Sequence, residues 1–319
     1  MFRRAGAERW PEVPTPTSVS WGCAFVDRFD HAVAPRSRPG LLIDIAGRYR
    51  RTADQTRVRS IRRHFSDSSV HAELGCRMHE GALVSTVADT RAREEILEQG
   101  FTRRPLCVDG DVARALGDLA HAAWSLPRDQ YYQAGNRYRS LNRFKAEIVE
   151  GGVRLWPCDN SNPYVQLEEY NTTLGGQPRR YLPIPQEIAD CAGVRKMIAQ
   201  HLVYLPLSTL GATYSVNMHV IRFAATPSRP CDTSPPGLHK DGEKYLATHL
   251  LARCGAQGGE VVITDNDRRE LGRFTLRESG ECYVFDDDRV WHMLTPVQTL
   301  ELNQFAYRDT VTFDLLPGG

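Results

Sequence analysis

A chain of 319 residues with 41% hydrophobic and 25% charged side chains is long enough to bury one large core or two smaller ones. Its net charge of +1 excludes a whole-chain electrostatic footprint for nucleic acid, and no apolar run reaches the roughly 18–20 residues that span a bilayer. The N-terminus lacks a secretory apolar core and the eight cysteines form no Cys-x-x-Cys pair, which points to a cytoplasmic protein with free, mostly buried thiols.

Residues 1–88 differ from the rest. Pro11, Pro14, Pro16, Pro35 and Pro39 interrupt the early part, and over residues 1–70 thirteen arginines face seven acids, a local excess of six positive charges. Asp27, Asp30, Asp44, Asp54 and Asp67 are interspersed among them, which argues against a nucleic-acid arm or a transit peptide. The expectation is an accessory extension that packs on the main domain, residues 89–319. His71 with Glu73, and Cys76 with His79, look like halves of metal sites without partners.

From residue 89 the pattern becomes regular. Asp89 or Thr90 caps a helix that runs through Glu98 and stops at Gly100. Asp111 is the expected cap of a second helix, in which Val112, Leu116, Leu119, Ala120, Ala123 and Trp124 recur at helical spacing before Pro127. A third helix is expected from Pro185 to about Leu202. The arginine-rich stretch Arg137–Arg143 and the stretch Tyr164–Asn171 read as loops and strands over the mouth of a barrel.

After Leu207 the periodicity becomes strand-like: Val216–Phe223, Tyr245–Leu251, Glu260–Thr264, Gly272–Leu276, Glu281–Phe285, Val290–Leu294 and Tyr307–Leu316, with turns at Gly258–Gly259 and Asp265–Asp267. Short strands behind a helical part suit an α+β protein, a double-stranded β-helix (a cupin-like jelly roll) with buttressing helices and the N-terminal extension. In a regular strand His219 and Arg222 face opposite sides, so at most one of them enters a pocket.

The chemistry is concentrated in Gly237-Leu238-His239-Lys240-Asp241. In a strand His239 and Asp241 share a face, and such a pair supplies two ligands of the two-histidine-one-carboxylate triad of non-haem iron(II) oxygenases. About one His-x-Asp arises by chance in a chain of this composition, so the pair alone decides nothing. His292, 51 residues after Asp241, can complete it from a later strand. In the last strand Arg308 and Thr310 share a face, where a guanidinium and a hydroxyl could hold the distal carboxylate of 2-oxoglutarate. His201 and His249 read as core histidines, and Asp286–Asp288 as a solvated turn.

Four blocks carry a resemblance across roughly residues 90–316: Arg137-Tyr138-Arg139 with Arg143-Phe144; Tyr164-Val165-Gln166 through Tyr170-Asn171 to Gly175-Gly176 and Arg179; His219 and Arg222 leading into His239-Lys240-Asp241; and Trp291-His292 through Pro296, followed by Tyr307-Arg308-Asp309. In this order and spacing they resemble the bacterial iron(II)/2-oxoglutarate dioxygenases of the L-isoleucine 4-hydroxylase kind, a group of amino-acid hydroxylases. One departure is His219-Val220-Ile221-Arg222, where relatives often read His-Gln.

The resemblance implies iron(II) on His239, Asp241 and His292, 2-oxoglutarate on Arg308 and Thr310, and O2 as oxidant. It also implies a substrate near Arg137, Arg139, His219 and Arg222, with succinate and CO2 as coproducts. Asp241 favours hydroxylation over halogenation, because iron halogenases of related type lack this carboxylate. The partner expected is a small molecule, an amino acid first of all, with no nucleic acid and no membrane. Two alternatives are the same chemistry on another small molecule, peptide or carrier-bound intermediate, and a non-catalytic cupin-like protein that binds metal for stability.

Overall fold

The computed structural model describes residues 81–85, 89–132, 136–171, 173–233, 235–300 and 304–318. The accessory reading of the first 80 residues, with the pairs His71/Glu73 and Cys76/His79, lies outside them. No helix among the described residues is long and apolar enough to cross a membrane.

Four α-helices among the described residues form where side chains can cap or bury them. In α1, Thr90–Gln99, the Asp89 carboxylate accepts the N–H groups of Arg91 and Ala92 at 3.0 and 3.1 Å. The helix ends on Gly100 at φ 85°, where a Cβ would also meet Val290 at 2.7 Å. The cap of α2, Gly110–Ala122, is Asp109 and not Asp111: its Oδ1 accepts the N–H groups of Asp111 and Val112, while Oδ2 of both residues holds Lys196 at 2.6 Å. The expected third helix is two, α3 (Gln186–Ala189) and α4 (Ala192–Tyr204), broken at Asp190 and at Cys191, whose backbone is extended. Asp is a weak helix former, and here its side chain is held by Arg195 at 2.7 Å.

The strands are β1 (Ala82–Val84), β2 (Phe101–Thr102), β3 (Arg137–Val149), β4 (Gly152–Cys158), β5 (Thr213–Ala225), β6 (Tyr245–Cys254), β7 (Ala256–Gly258), β8 (Val261–Asp265), β9 (Glu270–Phe274), β10 (Cys282–Asp286), β11 (Val290–Leu294), β12 (Val297–Thr299) and β13 (Ala306–Pro317). An eight-stranded antiparallel sheet has the order β1-β4-β3-β5-β13-β6-β10-β2; β11-β8-β9 and β12-β7 form smaller sheets. Two corrections follow. Arg137–Arg143 lies in β3, an interior strand paired with both β4 and β5, and β1 joins the sheet ahead of the expected boundary at residue 89.

Alternation along the strands sorts two faces. Val216, Met218 and Val220 of β5 and Val311, Phe313 and Leu315 of β13 join the helices in the main core. The opposite face carries His219, Ile221 and Phe223 of β5 and Arg308, Thr310, Thr312 and Asp314 of β13, all lining one cavity. Each fully buried apolar side chain of the core contributes on the order of 1.5–3 kcal/mol. His201 and His249 are core histidines as expected, with Nε2 atoms 2.7 Å apart and Tyr204 on His201 Nδ1 at 2.6 Å. Cys107, Cys191, Cys231, Cys254 and Cys282 are free thiols, whereas Cys158 is disulfide-bonded, a departure from the all-thiol expectation.

Candidate active site

His239 and His292 are joined by a single antiparallel bridge: the His239 N–H donates to the His292 carbonyl at 2.9 Å, and the His292 N–H to the His239 carbonyl at 3.0 Å. The segment around His239 is therefore extended but not a regular strand, and one bridge is enough to set the two rings 4.3 Å apart. The Nδ1–H of His239 donates to the Gly237 carbonyl at 2.9 Å, which leaves the Nε2 lone pair free to bind a metal ion. His239 Nε2 lies 3.9 Å from Asp241 Oδ1, and His292 Nε2 lies 3.2 Å from Asp241 Oδ2. One donor atom from each residue falls within 4.8 Å of the others, the single such group of three among the described residues. Two imidazoles and one carboxylate would hold a divalent transition-metal ion and leave it able to take further ligands.

Asp241 is held from two sides. Its N–H and that of Gly242 donate to the Asp287 carboxylate at 3.0 and 2.8 Å. Gln166 Nε2 donates to the Asp241 carbonyl at 3.0 Å and to Oδ1 at 3.2 Å. The amide oxygen of Gln166 in turn accepts from Asn171 at 2.8 Å and Arg179 at 2.9 Å, which fixes the direction of the amide. Gly242 sits at φ 83°, and a Cβ there would meet the Tyr170 ring at 2.4 Å.

The electrostatics match ligand chemistry. Burial and the neighbouring His292 push the His239 imidazole down to about 4, so it is neutral and able to ligate. Burial opposes ionisation of Asp241, yet the charge of His292 and its hydrogen bond hold the carboxyl well below the usual range. Burial likewise disfavours a charged His292, but Asp241 outweighs it and raises the imidazole, so a proton and a metal ion compete for one lone pair.

At another part of the cavity Arg308 is 1% exposed, and its Nε and Nη2 have no hydrogen-bond partner among the described residues. Burial pushes this guanidinium down to about 10. Thr310 lies on the same face of β13. Arg137, Arg139 and His219 also line the cavity, but Arg222 does not. Parity on β5 turns Arg222 to the helix side, where it grips Asp309 at 2.8 and 2.7 Å and lies 3.7 Å from the Trp124 ring. Its expected substrate role has no geometric basis.

Sequence reasoning assigns no role to Asp287, Gln166, Asn171, Arg179 or Asp314. Asp287 belongs to the expected solvated turn but is 1% exposed. Extending the period-two reading of the last strand from Arg308 and Thr310 reaches Thr312 and Asp314. The clamp on Asp241 comes from a loop and has no periodic signal.

An antiparallel sheet whose cavity holds a cluster of two imidazoles and one carboxylate, together with a buried guanidinium, defines a non-haem iron oxygenase that takes an anionic cosubstrate. The chain belongs to the 2OG-Fe dioxygenase family, whose model matches residues 121–314. It is 35% identical over 198 residues to L-isoleucine-4-hydroxylase of Bacillus thuringiensis, covering 60% of this chain and 79% of that protein. It is 28% identical over 189 residues to 3(1)-hydroxy-L-isoleucine 4-dioxygenase of Pantoea ananatis, covering 56% and 72%. Among solved structures, IDO from Bacillus thuringiensis superposes with TM-score 0.59 at 23% identity over 72% of this chain and 99% of the other. A bsmA homolog from Methylobium petroleophilum PM1 gives 0.60 at 24% over 76% and 98%. These likenesses show the fold, the jelly roll of the 2OG-Fe oxygenases.

Enzymes of this family use iron(II), 2-oxoglutarate and O2. The residues fit both bound groups: an N/N/O donor set suits iron(II), and the orphaned nitrogens of Arg308 suit a carboxylate.

Proposed function

We propose that the enzyme hydroxylates an unactivated C–H bond of a free L-amino acid or close derivative, with succinate and CO2 as coproducts. In this reading His239, Asp241 and His292 hold iron(II), and Arg308 with Thr310 holds the far carboxylate of 2-oxoglutarate. The observation that carries it is the unpartnered Arg308 guanidinium in the cavity of the histidine-carboxylate cluster. A buried cation without an anion is costly, and a bidentate carboxylate offsets that cost. Bound iron and cosubstrate supply the oxidising power; the chain supplies binding and aim.

The substrate's carboxylate falls to Arg139 by elimination. Of the four arginines lining the cavity, Arg137 is paired with Asp129 at 2.7 Å and Arg179 donates to Gln166. Arg308 serves the cosubstrate. Arg139 has no carboxylate partner among the described residues: its Nε donates to His219 Nδ1 at 3.2 Å, and its guanidinium lies 5.2 and 4.8 Å from the Tyr164 and Tyr181 rings. The cavity is open to solvent, and Arg139, Arg308 and the histidine-carboxylate cluster all stand in its lining. The names of the two curated relatives support an aliphatic amino acid.

The test is a turnover screen over free amino acids with iron(II), with and without 2-oxoglutarate, reading succinate. Amino-acid-dependent succinate supports the reading. Turnover confined to compounds without a free carboxylate would sink it, and no succinate at all would favour the non-catalytic alternative.

A further inference from the structure

Two acids line the cavity, Asp241 and Asp314. Asp241 belongs to the metal cluster, which leaves Asp314 as the one cavity carboxylate with no assigned task. It is 3% exposed, on the same face of β13 as Arg308 and Thr310. Its Oδ2 accepts from His219 Nε2 at 3.0 Å and from the Tyr164 hydroxyl at 3.4 Å. That hydroxyl also lies 3.5 Å from Glu243 Oε1, so a second buried carboxyl stands nearby.

The tautomer of His219 follows from its neighbours. The Nε–H of Arg139 can only donate, so His219 Nδ1 accepts, and the ring proton sits on Nε2 facing Asp314. One proton on the ring makes it neutral, so it orients Asp314 without cancelling its charge. No Arg or Lys lies within ion-pair distance of Asp314 among the described residues; its one ion-pair contact is this histidine. An isolated buried carboxylate is costly, as is a buried guanidinium without an anion. Both therefore stand in one cavity, separated by one imidazole and two hydrogen bonds.

We propose that Asp314 binds the ammonium group of the substrate, so that Arg139 and Asp314, fixed on opposite sides of the His219 ring, together read the zwitterionic head of a free amino acid. The span suits this. An α-ammonium and a carboxylate on adjacent carbons, each flanked by a charge-assisted hydrogen bond of about 2.8 Å, cover a distance comparable to an imidazole with a hydrogen bond at either end. The inference rests on the amino-acid reading above and sharpens it: acylated or peptide-bonded amines are refused by Asp314, and substrates esterified to a carrier are refused by Arg139.

The test uses the full-length enzyme loaded with iron(II) and 2-oxoglutarate without oxygen, and calorimetric binding of three probes. They are the free amino acid giving the most succinate in the screen, its N-acetyl derivative, and the same acid lacking the amine. The free amino acid should bind roughly 10- to 100-fold tighter than either analogue, as expected for a hydrogen-bonded charge pair. Asp314→Asn should weaken the free amino acid by a similar factor and leave the deaminated acid within about twofold. Equal binding of the three probes by the parent, or an equal loss for both acids in the variant, overturns the proposal, since a merely structural role moves both acids together. If Asp314→Asn does not fold, the parent's discrimination among the probes decides. A screen without amino-acid-dependent succinate overturns the functional reading and this inference together, a failure distinct from equal binding.

Discussion

The carboxylate of Asp287 accepts the backbone N–H groups of Asp241 and Gly242 at 3.0 and 2.8 Å, so the acidic turn fixes the peptide that carries the carboxylate of the histidine-carboxylate cluster. Its Oδ1 also lies 3.9 Å from His292 Nδ1. Partners that orient ligands typically contribute 10- to 100-fold in metal affinity. Asp287→Ala should therefore lower iron(II) affinity by about that factor, and Asp287→Asn, which keeps one acceptor, by less. Metal titration of the folded variants checks this; an unchanged affinity for the alanine variant would remove Asp287 from the site.

Replacing His239, Asp241 or His292 with Ala should abolish turnover and lower the iron content of the purified protein. Each removes one of three donors that converge within 4.8 Å, and a labile divalent ion held by two is weakly bound. Metal analysis beside a succinate assay decides it. Full iron occupancy with activity in any one variant would strike that residue from the ligand set.

Arg308 and Arg222 make opposite predictions from similar burial. Arg308→Ala removes a guanidinium with two unpartnered nitrogens in the cavity, so apparent affinity for 2-oxoglutarate should fall roughly 30- to 1000-fold, on the order of 2–4 kcal/mol. Arg222→Met instead breaks a buried bidentate pair with Asp309, with an expected stability loss of about 3–5 kcal/mol because one buried charge is stranded. Where it folds, it should keep parental cosubstrate affinity. Urea melts and half-saturating 2-oxoglutarate separate the two, and a stable Arg222→Met enzyme with weak 2-oxoglutarate binding would refute the assignment of roles.

How much of the fold and site is legible in the sequence depends on whether periodicity carries it. Alternation in the strand of Arg308 and Thr310 puts both on the cavity face, and the opposed parities of His219 and Arg222 follow from their spacing alone. The triad can be assembled from order and spacing, although the bridge between His239 and His292 that sets their rings side by side cannot. Capping by Asp109 instead of Asp111 is a shift of two residues among near-equivalent carboxylates, both of which hold Lys196 at 2.6 Å while only Asp109 Oδ1 reaches the first helical N–H groups. The Gln166 clamp and the burial of Asp287 are long-range contacts from loops, which leave no local pattern. Reading Arg137–Arg143 as a mouth segment fails because arginines suggest solvent, whereas here Asp129, His219 and Asn217 satisfy them inside the sheet.

The pair His201 and His249 should make the fold sensitive to acid independently of the active site. Their Nε2 atoms, 2.7 Å apart, share a single proton, so the two rings cannot both charge without losing the contact. Burial pushes His249 down to about 4, and burial together with His249 holds His201 well below its ordinary value. A histidine whose folded value is depressed contributes stability that is full above its unfolded value of about 6.5 and is lost as pH falls from there toward 4. Between pH 7.5 and 4.5 the loss from His249 alone should be on the order of 2–3 kcal/mol. Other groups titrate in the same window, so the quantity to measure is the difference between the parent and a variant with His201→Leu and His249→Leu together, which also avoids stranding one ring. Urea midpoints at the two pH values should converge toward each other in the variant and stand further apart in the parent. If both proteins lose the same stability on acidification, the shared proton is not what the core is protecting.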